Sequence, residues 1–272
     1  MNQIGTYYGT WTDGLAALPE KHSLAKISAP VTHVYLAFCK PDLTYVAGQN
    51  NFKGTGMNFS SSFLVVKNAI KILKSKGIIV MLSVGGASYW SDSSKVYKAV
   101  DCVNLMRDLG CQGIDLDWEV GAKDSEKLVE CLRITKKMLF AEYLCFAGFS
   151  TGAHTPVPAD KYRGMNIPAL MKCGSITDWV NIMAYDAGVN YDYRIAARNY
   201  RKFYNGPLVL GYCVGKQGWG EARNTLEYIQ NSMSWMKRES LKNGIFTWHY
   251  SKDLGFEKID APFVHSTADK IW

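Results

Sequence analysis

Eight short apolar runs recur along the chain, with amphipathic stretches between them. We predict strands at 3–11, 31–39, 77–84, 113–120, 144–150, 179–185, 207–214 and 244–250. Helical periodicity places helices at 60–74, 95–109, 125–140 and 223–241. Eight strand–helix units in about 250 residues match the size and count of a TIM (β/α)8 barrel, so we predict an α/β fold of that type. The competing doubly wound sheet would want a Gly-rich nucleotide turn after the first strand, and residues 9–14 lack that form.

Three acidic residues, Asp115, Asp117 and Glu119, occupy alternate positions in the fourth run. In an extended strand, alternate side chains share a face, so the three carboxylates would lie opposite the apolar residues between them. Like charges this close cannot all ionise cheaply, so at least one carboxyl group should hold a proton near neutral pH and be able to donate it. The pattern predicts a general acid with supporting carboxylates. A solvated face of an amphipathic strand is the other interpretation, which stacked like charges disfavour.

The bulk composition is that of a globular protein. The 272 residues are 47% hydrophobic and 20% charged, and no linker or composition shift divides them. We therefore predict a single domain over residues 1–272. The net charge of +7 comes from 31 basic and 24 acidic residues scattered singly or in pairs. Without a basic block, this charge does not indicate nucleic-acid binding, and it fits a neutral substrate or an anionic surface that carries one.

The cysteines and the apolar runs indicate whether the chain has disulfides, a leader or a membrane span. Seven cysteines make an odd count without a CxxC pair, and several fall in predicted strands, which favours buried free thiols over a disulfide framework. The amino terminus enters the first strand without a basic region and a long apolar stretch. Either a leader was removed, or the protein is not exported by that route. No apolar run approaches ~18 residues, so we predict no membrane span.

Motifs at the predicted strand ends resemble those of one family. The third strand ends in Ser83-Val84-Gly85-Gly86, the sixth in Met183-Ala184-Tyr185-Asp186 and the eighth near Trp248. Together with the acidic run, they match the SxGG, M-x-Y-D, tryptophan and D-x-x-D-x-D-x-E signatures of the family 18 glycoside hydrolases, the chitinases and their relatives. The chain resembles this family over essentially its whole length. It departs at Gln112, where the signature has Asp; the odd spacing predicts that Gln112 points away from the acids and leaves the chemistry in place.

The resemblance implies a retaining hydrolysis of β-1,4 bonds next to N-acetylglucosamine, in which the substrate supplies its own nucleophile. Glu119 would protonate the glycosidic oxygen and later activate water. Asp117 would bind the acetamido N–H and stabilise the oxazolinium intermediate. By similarity, Asp115, backed by Tyr7 and Ser83, would share a proton with Asp117. Tyr7 and Ser83 could equally serve only to satisfy buried polar groups inside the barrel.

Further residues are implied to contact the sugar. By similarity, Tyr185 would bind the acetamido oxygen, Asp186 would contact the distorted sugar, and Trp248 would form an apolar floor. Phe38 and Met183 complete the expected substrate-binding set. The candidates for outer subsites, for each of which a packing role is the more common, are Tyr89, Trp90, Tyr191, Tyr193, Tyr212 and Trp219.

The spacing of the last strands bears on the shape of the groove. Many family members insert an α+β domain between the seventh and eighth strands, where this chain has only about thirty residues, room for one helix. We therefore expect a shallow, open groove and endo-type cleavage of chitin or N-acetylglucosamine oligosaccharides. We expect a monomer with no cofactor, metal, nucleic-acid or membrane partner. The substrate indicates an extracellular site of action, although no signal peptide is visible.

Two other functions remain open. One is an endo-β-N-acetylglucosaminidase acting on N-glycans or peptidoglycan with the same acetamido chemistry, against which Trp118 leans only weakly. The other is a catalytically inactive chitinase-like lectin, which keeps the barrel and the aromatic floor but has lost the acid. The presence of Glu119 argues against the lectin.

Overall fold

The eight predicted strands form a closed parallel barrel, in the order of the sequence, in the computed structural model of the chain. The structure describes residues 3–155, 161–185, 187, 191–213, 226–239, 243–250 and 261–271. The strands are β1 (Gln3–Gly9), β2 (His33–Cys39), β3 (Ile79–Gly85), β4 (Gly113–Asp117), β5 (Tyr143–Phe149), β6 (Trp179–Met183), β7 (Leu208–Cys213) and β8 (Asn243–Trp248). Closure is direct, because Gln3 of β1 pairs with Gly244 of β8 and Thr6 pairs with Thr247. The TIM barrel prediction is confirmed, and the doubly wound sheet is excluded.

Helices follow the strands and cover the outside of the barrel. In the described residues they are α1 (Ser23–Lys26), α2 (Phe63–Ser75), α3 (Ala99–Leu109), α4 (Ser125–Met138), α5 (Ile167–Cys173), α6 (Tyr193–Arg201), α7 (Leu226–Arg238) and α8 (Ala261–Ile271). Helix α2 begins later than the periodicity predicts, because the Ser62 hydroxyl caps it by accepting a hydrogen bond from the Val65 N–H. Helix α3 ends at Gly110, whose φ of +81° suits glycine best.

The core has two layers, one on each face of the barrel wall. The larger layer lies between strands and helices and includes Ile114, Leu116 and Trp118, none of which is exposed. Asp115 and Asp117 alternate with these residues and face the barrel interior, as the alternation in the sequence predicts. The inner layer is rich in aromatic and sulfur-containing side chains: Tyr7, Tyr35, Ala37, Phe38, Met81, Cys145, Trp179, Val209 and Phe246.

Several strands end earlier than predicted. Strand β4 stops at Asp117 rather than continuing to residue 120, so Glu119 lies beyond the regular strand. The cause is a change of partner: the Gly86 N–H donates to the Asp117 carbonyl at 2.9 Å, and the Glu119 N–H donates to the Trp90 carbonyl at 3.2 Å. The loop after β3 therefore takes over the hydrogen bonds of a neighbouring strand. Similarly, β1 gives way to a 3-10 turn at Thr10–Thr12.

The cysteines agree with the prediction from the sequence. All seven cysteine thiols are free and buried. Within the described ranges, no helix combines the length and the apolar character needed to cross a bilayer.

Candidate active site

Asp115 is a fully buried carboxylate surrounded by hydrogen-bond donors. Its Oδ2 accepts hydrogen bonds from the Tyr7 hydroxyl at 2.9 Å and from the Ser83 hydroxyl at 2.7 Å. Its Oδ1 accepts one from the Cys145 thiol at 3.2 Å. Burial raises the pKa of Asp115, and the bonds from Ser83, Cys145 and Tyr7 act in the opposite direction because they favour the charged form. The site thus holds a carboxylate that is costly to bury but well supplied with donors.

Asp117 lies one level higher in the barrel and has a different environment. Its neighbours in register are Gly85 on β3 and Ala147 on β5, whereas those of Asp115 are Ser83 and Cys145. These small neighbours supply no side-chain donor, and Asp117 Oδ1 is buried without a hydrogen-bond partner in the described structure. Burial, and then the negative charges of Glu119 and Asp115, raise the pKa of Asp117 well above its usual range. Asp117 therefore favours its protonated form and leaves one oxygen available to a ligand.

Glu119 stands at the carboxyl end of the barrel, partly buried, just after β4. Burial raises the pKa of Glu119 to about 7, while the Ala87 N–H and the positive charge of Lys161 act to lower it. Lys161 is held near the acid through its backbone, because its carbonyl accepts a hydrogen bond from Ala122 at 2.7 Å. A carboxyl group with a pKa near 7 can both donate and accept a proton at neutral pH, which general acid–base catalysis requires.

An aromatic platform borders the acids. The indole of Trp248, half-buried, lies parallel to the ring of Phe38 with centroids 5.6 Å apart, and edge-on to Tyr7 at 5.7 Å. Trp11 extends this platform toward solvent: its ring stacks on Phe38 at 6.3 Å, and 47% of its surface is exposed. Flat apolar faces of this kind pack well against the C–H faces of a sugar ring.

The sixth strand adds residues to the same end of the barrel. Met183 ends β6 and packs, half-buried, against the inner aromatic layer, as does Tyr185 just beyond it. The Tyr185 ring meets Phe246 edge-on at a centroid distance of 6.1 Å. Asp186, the last residue of the M-x-Y-D motif, lies outside the described residues.

The structure adds polar residues that the motif search did not select. Asn181 on β6 is fully buried; its amide donates to the Tyr7 hydroxyl at 3.1 Å, and its Oδ1 accepts from the Tyr35 hydroxyl at 3.3 Å. Because Tyr7 accepts this bond, its own proton is directed to Asp115. The sequence could have identified Asn181, because it lies two residues before Met183 on β6 and alternate side chains of a strand share a face. Cys145 could be found in the same way from the alternation along β5.

Gln112 lies away from the acids, and the aromatic candidates for outer subsites differ in how far they are buried. Gln112 lies at the start of β4, away from the acids, and its side-chain oxygen accepts a hydrogen bond from the Val80 N–H at 3.3 Å. Tyr89 and Tyr191 are half-buried and donate to backbone carbonyls. Trp219 lies outside the described residues. The candidates that the structure buries, and so denies to a sugar, are Trp90, Tyr193 and Tyr212. In the described part of the chain, no group of His, Cys, Asp and Glu has an arrangement that could hold a metal ion.

The fold and the acidic trio define a (β/α)8-barrel protein with a carboxyl site at the carboxyl ends of its strands. More particularly, the family model of the glycosyl hydrolases family 18 matches residues 3–201, and the chain belongs to that family. Chitinase 1 of Aphanocladium album is 26% identical over 183 residues, which is 58% of this chain and 43% of that protein. A chitinase of Plasmodium falciparum (isolate 3D7) is 29% identical over 157 residues, 52% and 39% of the two chains. The chain spans less than half the length of these curated relatives.

Solved structures with low sequence identity share the fold. A family 18 chitinase from Pseudoalteromonas aurantia superposes with a TM-score of 0.73 at 19% identity, covering 99% of this chain and 100% of that one. A fungal endo-β-N-acetylglucosaminidase of family 18 gives a TM-score of 0.71 at 15% identity, with 98% and 97% covered. Human YKL-39, described as a pseudo-chitinase with retained chitooligosaccharide binding, gives 0.70 at 11% identity, with 100% and 99% covered. At these identities, the likeness establishes the fold alone.

Proposed function

We propose that this chain, as a single catalytic barrel of residues 1–272, is a retaining glycoside hydrolase that cleaves β-1,4 bonds within N-acetylglucosamine polymers such as chitin. The observation that carries the proposal is the contrast among the three acids. Glu119 has a pKa raised to about 7, Asp117 has a buried oxygen with no partner among the described residues, and Asp115 is held by three donors. An acid, a polar group free for the substrate and a fixed supporting charge are what acetamido-assisted cleavage needs.

In the first step, Glu119 transfers its proton to the glycosidic oxygen as the bond from that oxygen to the anomeric carbon breaks. The acetamido carbonyl oxygen of the same sugar attacks the anomeric carbon from the opposite face and forms the oxazolinium ion. Asp117 turns from Asp115 to the acetamido group, carries the shared proton with it and accepts the amide N–H on its free oxygen. Tyr185 donates to the acetamido oxygen and helps to aim it. These contacts strengthen as charge develops, which is the condition for catalysis.

In the second step, the ionised Glu119 takes a proton from water, and the water oxygen attacks the anomeric carbon. The bond to the acetamido oxygen breaks, its electron pair returns to the amide, and the product keeps the β configuration after two inversions. The platform of Trp248 and Phe38 lies beneath the reacting sugar. By the family resemblance, Asp186, which lies outside the described residues, contacts the distorted sugar.

Endo-type cleavage is part of the proposal. Between the end of β7 at Cys213 and the start of β8 at Asn243, the described chain contains helix α7. This short connection supports a groove without the added wall that a larger insertion would build. An open groove admits the middle of a long polymer, so we propose that internal bonds are cleaved.

The acid is tested by Glu119→Gln, which keeps the size of the side chain but cannot transfer the proton. We expect loss of at least about 10²-fold in turnover of an N-acetylglucosamine oligomer, with binding of the oligomer retained. Glu130→Gln, on the exposed face of α4, is the matched control and should keep full activity. Undiminished hydrolysis by the Glu119 variant would refute the role of Glu119, and an inactive wild type that still binds the oligomer would favour the lectin.

The substrate is tested with chitin oligomers, a high-mannose glycoprotein and peptidoglycan in parallel. N-glycans and peptidoglycan are the competing substrates, because an endo-β-N-acetylglucosaminidase would use the same acetamido chemistry on them. We expect cleavage of the chitin oligomers, with β product at early times by NMR and internal products by size. Initial α product would exclude the acetamido route, and release from the glycoprotein alone would replace chitin with N-glycans.

A further inference from the structure

The Cys145 thiol is a buried group that takes no part in the bond-making steps of the proposed reaction. Cys145 lies on β5 with its side chain in the barrel interior, and it is the direct register neighbour of Asp115. Its Sγ lies 3.2 Å from Asp115 Oδ1. Burial, together with the nearby charge of Asp115, raises the pKa of the thiol well above its usual value, so the sulfur carries a proton that it can donate. The thiol is therefore a hydrogen-bond donor and not a nucleophile.

The two carboxylate oxygens of Asp115 accept different numbers of hydrogen bonds. Oδ2 accepts from both Tyr7 and Ser83, so its two lone-pair sites are filled. In the described structure Oδ1 accepts from Cys145 alone, which leaves one site for the proton that Asp115 shares with Asp117 in the proposed reaction. When Asp117 turns toward the substrate with that proton, the only donor left on Oδ1 in the described structure is the thiol. An ionised carboxylate in a barrel interior is costly unless such sites are occupied.

We propose that Cys145 is a positioning residue of the reaction, which holds Asp115 Oδ1 while Asp117 is turned toward the substrate. A thiol is a weak donor. The thiol stabilises the charge on Asp115 Oδ1. Because its hydrogen bond is weak, it does not prevent Asp117 from returning to the same oxygen when the product leaves. The inference rests on the proposed function, because it assigns Cys145 to the state in which Asp117 has moved.

Other titratable groups lie near Asp115 and could contribute to the pH dependence of activity. Tyr7 faces it from β1, Tyr35 acts from β2, and Asp117 is adjacent on β4. Burial raises the pKa of both tyrosines well above the usual value for tyrosine, so they stay neutral over the working pH range. The acid limb of the activity profile is therefore a property of the carboxyl groups.

The experiment compares Cys145→Ala, Cys145→Ser and the wild type on an N-acetylglucosamine oligomer across pH. Alanine removes the donor and serine keeps one. We expect kcat to fall several-fold in the alanine variant with KM little changed, and the acid limb to move up by roughly half to one pH unit. The serine variant should return the limb to the wild-type position or below. Cys173→Ala, which removes a buried thiol that donates to the Val129 carbonyl and does not touch Asp115, should leave the limb in place.

A second readout separates this inference from the proposed function. The Asp115 carboxyl carbon is titrated by NMR in the wild type and in the alanine variant, and we expect a higher pKa in the variant. An inactive wild type would end the proposed function, while the NMR titration would still report on the thiol. An identical Asp115 titration in the two proteins, or equal displacement of the acid limb by alanine and serine, would overturn the role of Cys145.

Discussion

Gly85, the last residue of β3, lies against the backbone of Asp117 on β4. We expect alanine at this position to be poorly tolerated. Gly85 ends β3 with a φ of +114°, a conformation that L side chains rarely adopt. A Cβ added to it would lie 2.2 Å from the Asp117 carbonyl oxygen and 2.9 Å from the Trp90 ring. Both contacts are too short, and one of them is to backbone that cannot rotate away. The Asp117 carbonyl also accepts the Gly86 N–H at 2.9 Å, so moving it disturbs a second bond.

The expected loss of stability can be judged against a second glycine that has a positive φ but no close contact. Gly110 has a φ of +81°, and a Cβ there would meet nothing within 4 Å. Gly110→Ala should cost about 1–2 kcal/mol, the usual cost of a left-handed conformation for a residue with a side chain. Gly85→Ala adds an overpacking cost of about 1–3 kcal/mol to a strain of about 1–3 kcal/mol, so we expect roughly 2–6 kcal/mol.

The assay is urea unfolding of the two variants and the wild type, with hydrolysis measured on the folded fraction. We expect the Gly85 variant to lose more stability than the Gly110 variant, and to lose activity even where it is folded, because the end of β4 carries Asp117. The Gly110 variant should keep its activity. Equal losses of stability with full activity in both variants would refute the close packing of Gly85 against the acid strand.

Three further predictions concern charges and buried hydrogen bonds. In the proposed reaction Glu119 must be protonated to act as the acid, and its pKa is raised to about 7, so kcat/KM should fall as pH rises above about 7; a flat profile to pH 9 would contradict this. Replacing Asn181 with Leu leaves the hydroxyls of Tyr7 and Tyr35 without this partner, so urea unfolding should show a loss of about 2–4 kcal/mol and hydrolysis should slow. Burial opposes ionisation of Asp13, but hydrogen bonds from three side chains outweigh it and lower the Asp13 pKa. Stability from its ionised form is thus present above the unfolded pKa of about 3.9 and lost as pH falls further. Asp13→Asn should cost about 2 kcal/mol at pH 7 and less at pH 3, and an equal cost at both would refute the ionic contribution.

The sequence predicts the barrel well and the strand ends poorly. All eight strands and the four predicted helices form, because apolar alternation and helical periodicity are local properties that burial enforces. The ends depend on contacts that are distant in sequence. Strand β4 stops at Asp117 because the loop after β3 bonds to residues 117–119, and nothing within β4 itself records this. The Ser62 cap of α2 was visible as a residue type, but its choice among neighbouring serines depends on the geometry of the turn.

The donors around the acids show why a motif alone cannot define the site. Ser83, Asp115 and Cys145 lie at one level because β3, β4 and β5 are in a fixed register, and Gly85, Asp117 and Ala147 share the next level. Alternation along each strand identifies the inward residues but not which of them face one another, since that depends on the tilt and stagger of the closed barrel. The difference between the two acids follows directly from the register. In the described structure, one carboxyl group has a hydroxyl and a thiol beside it in register and the other has neither, so the protein fixes the lower acid, and the upper acid is the one that turns toward the ligand in the proposed reaction.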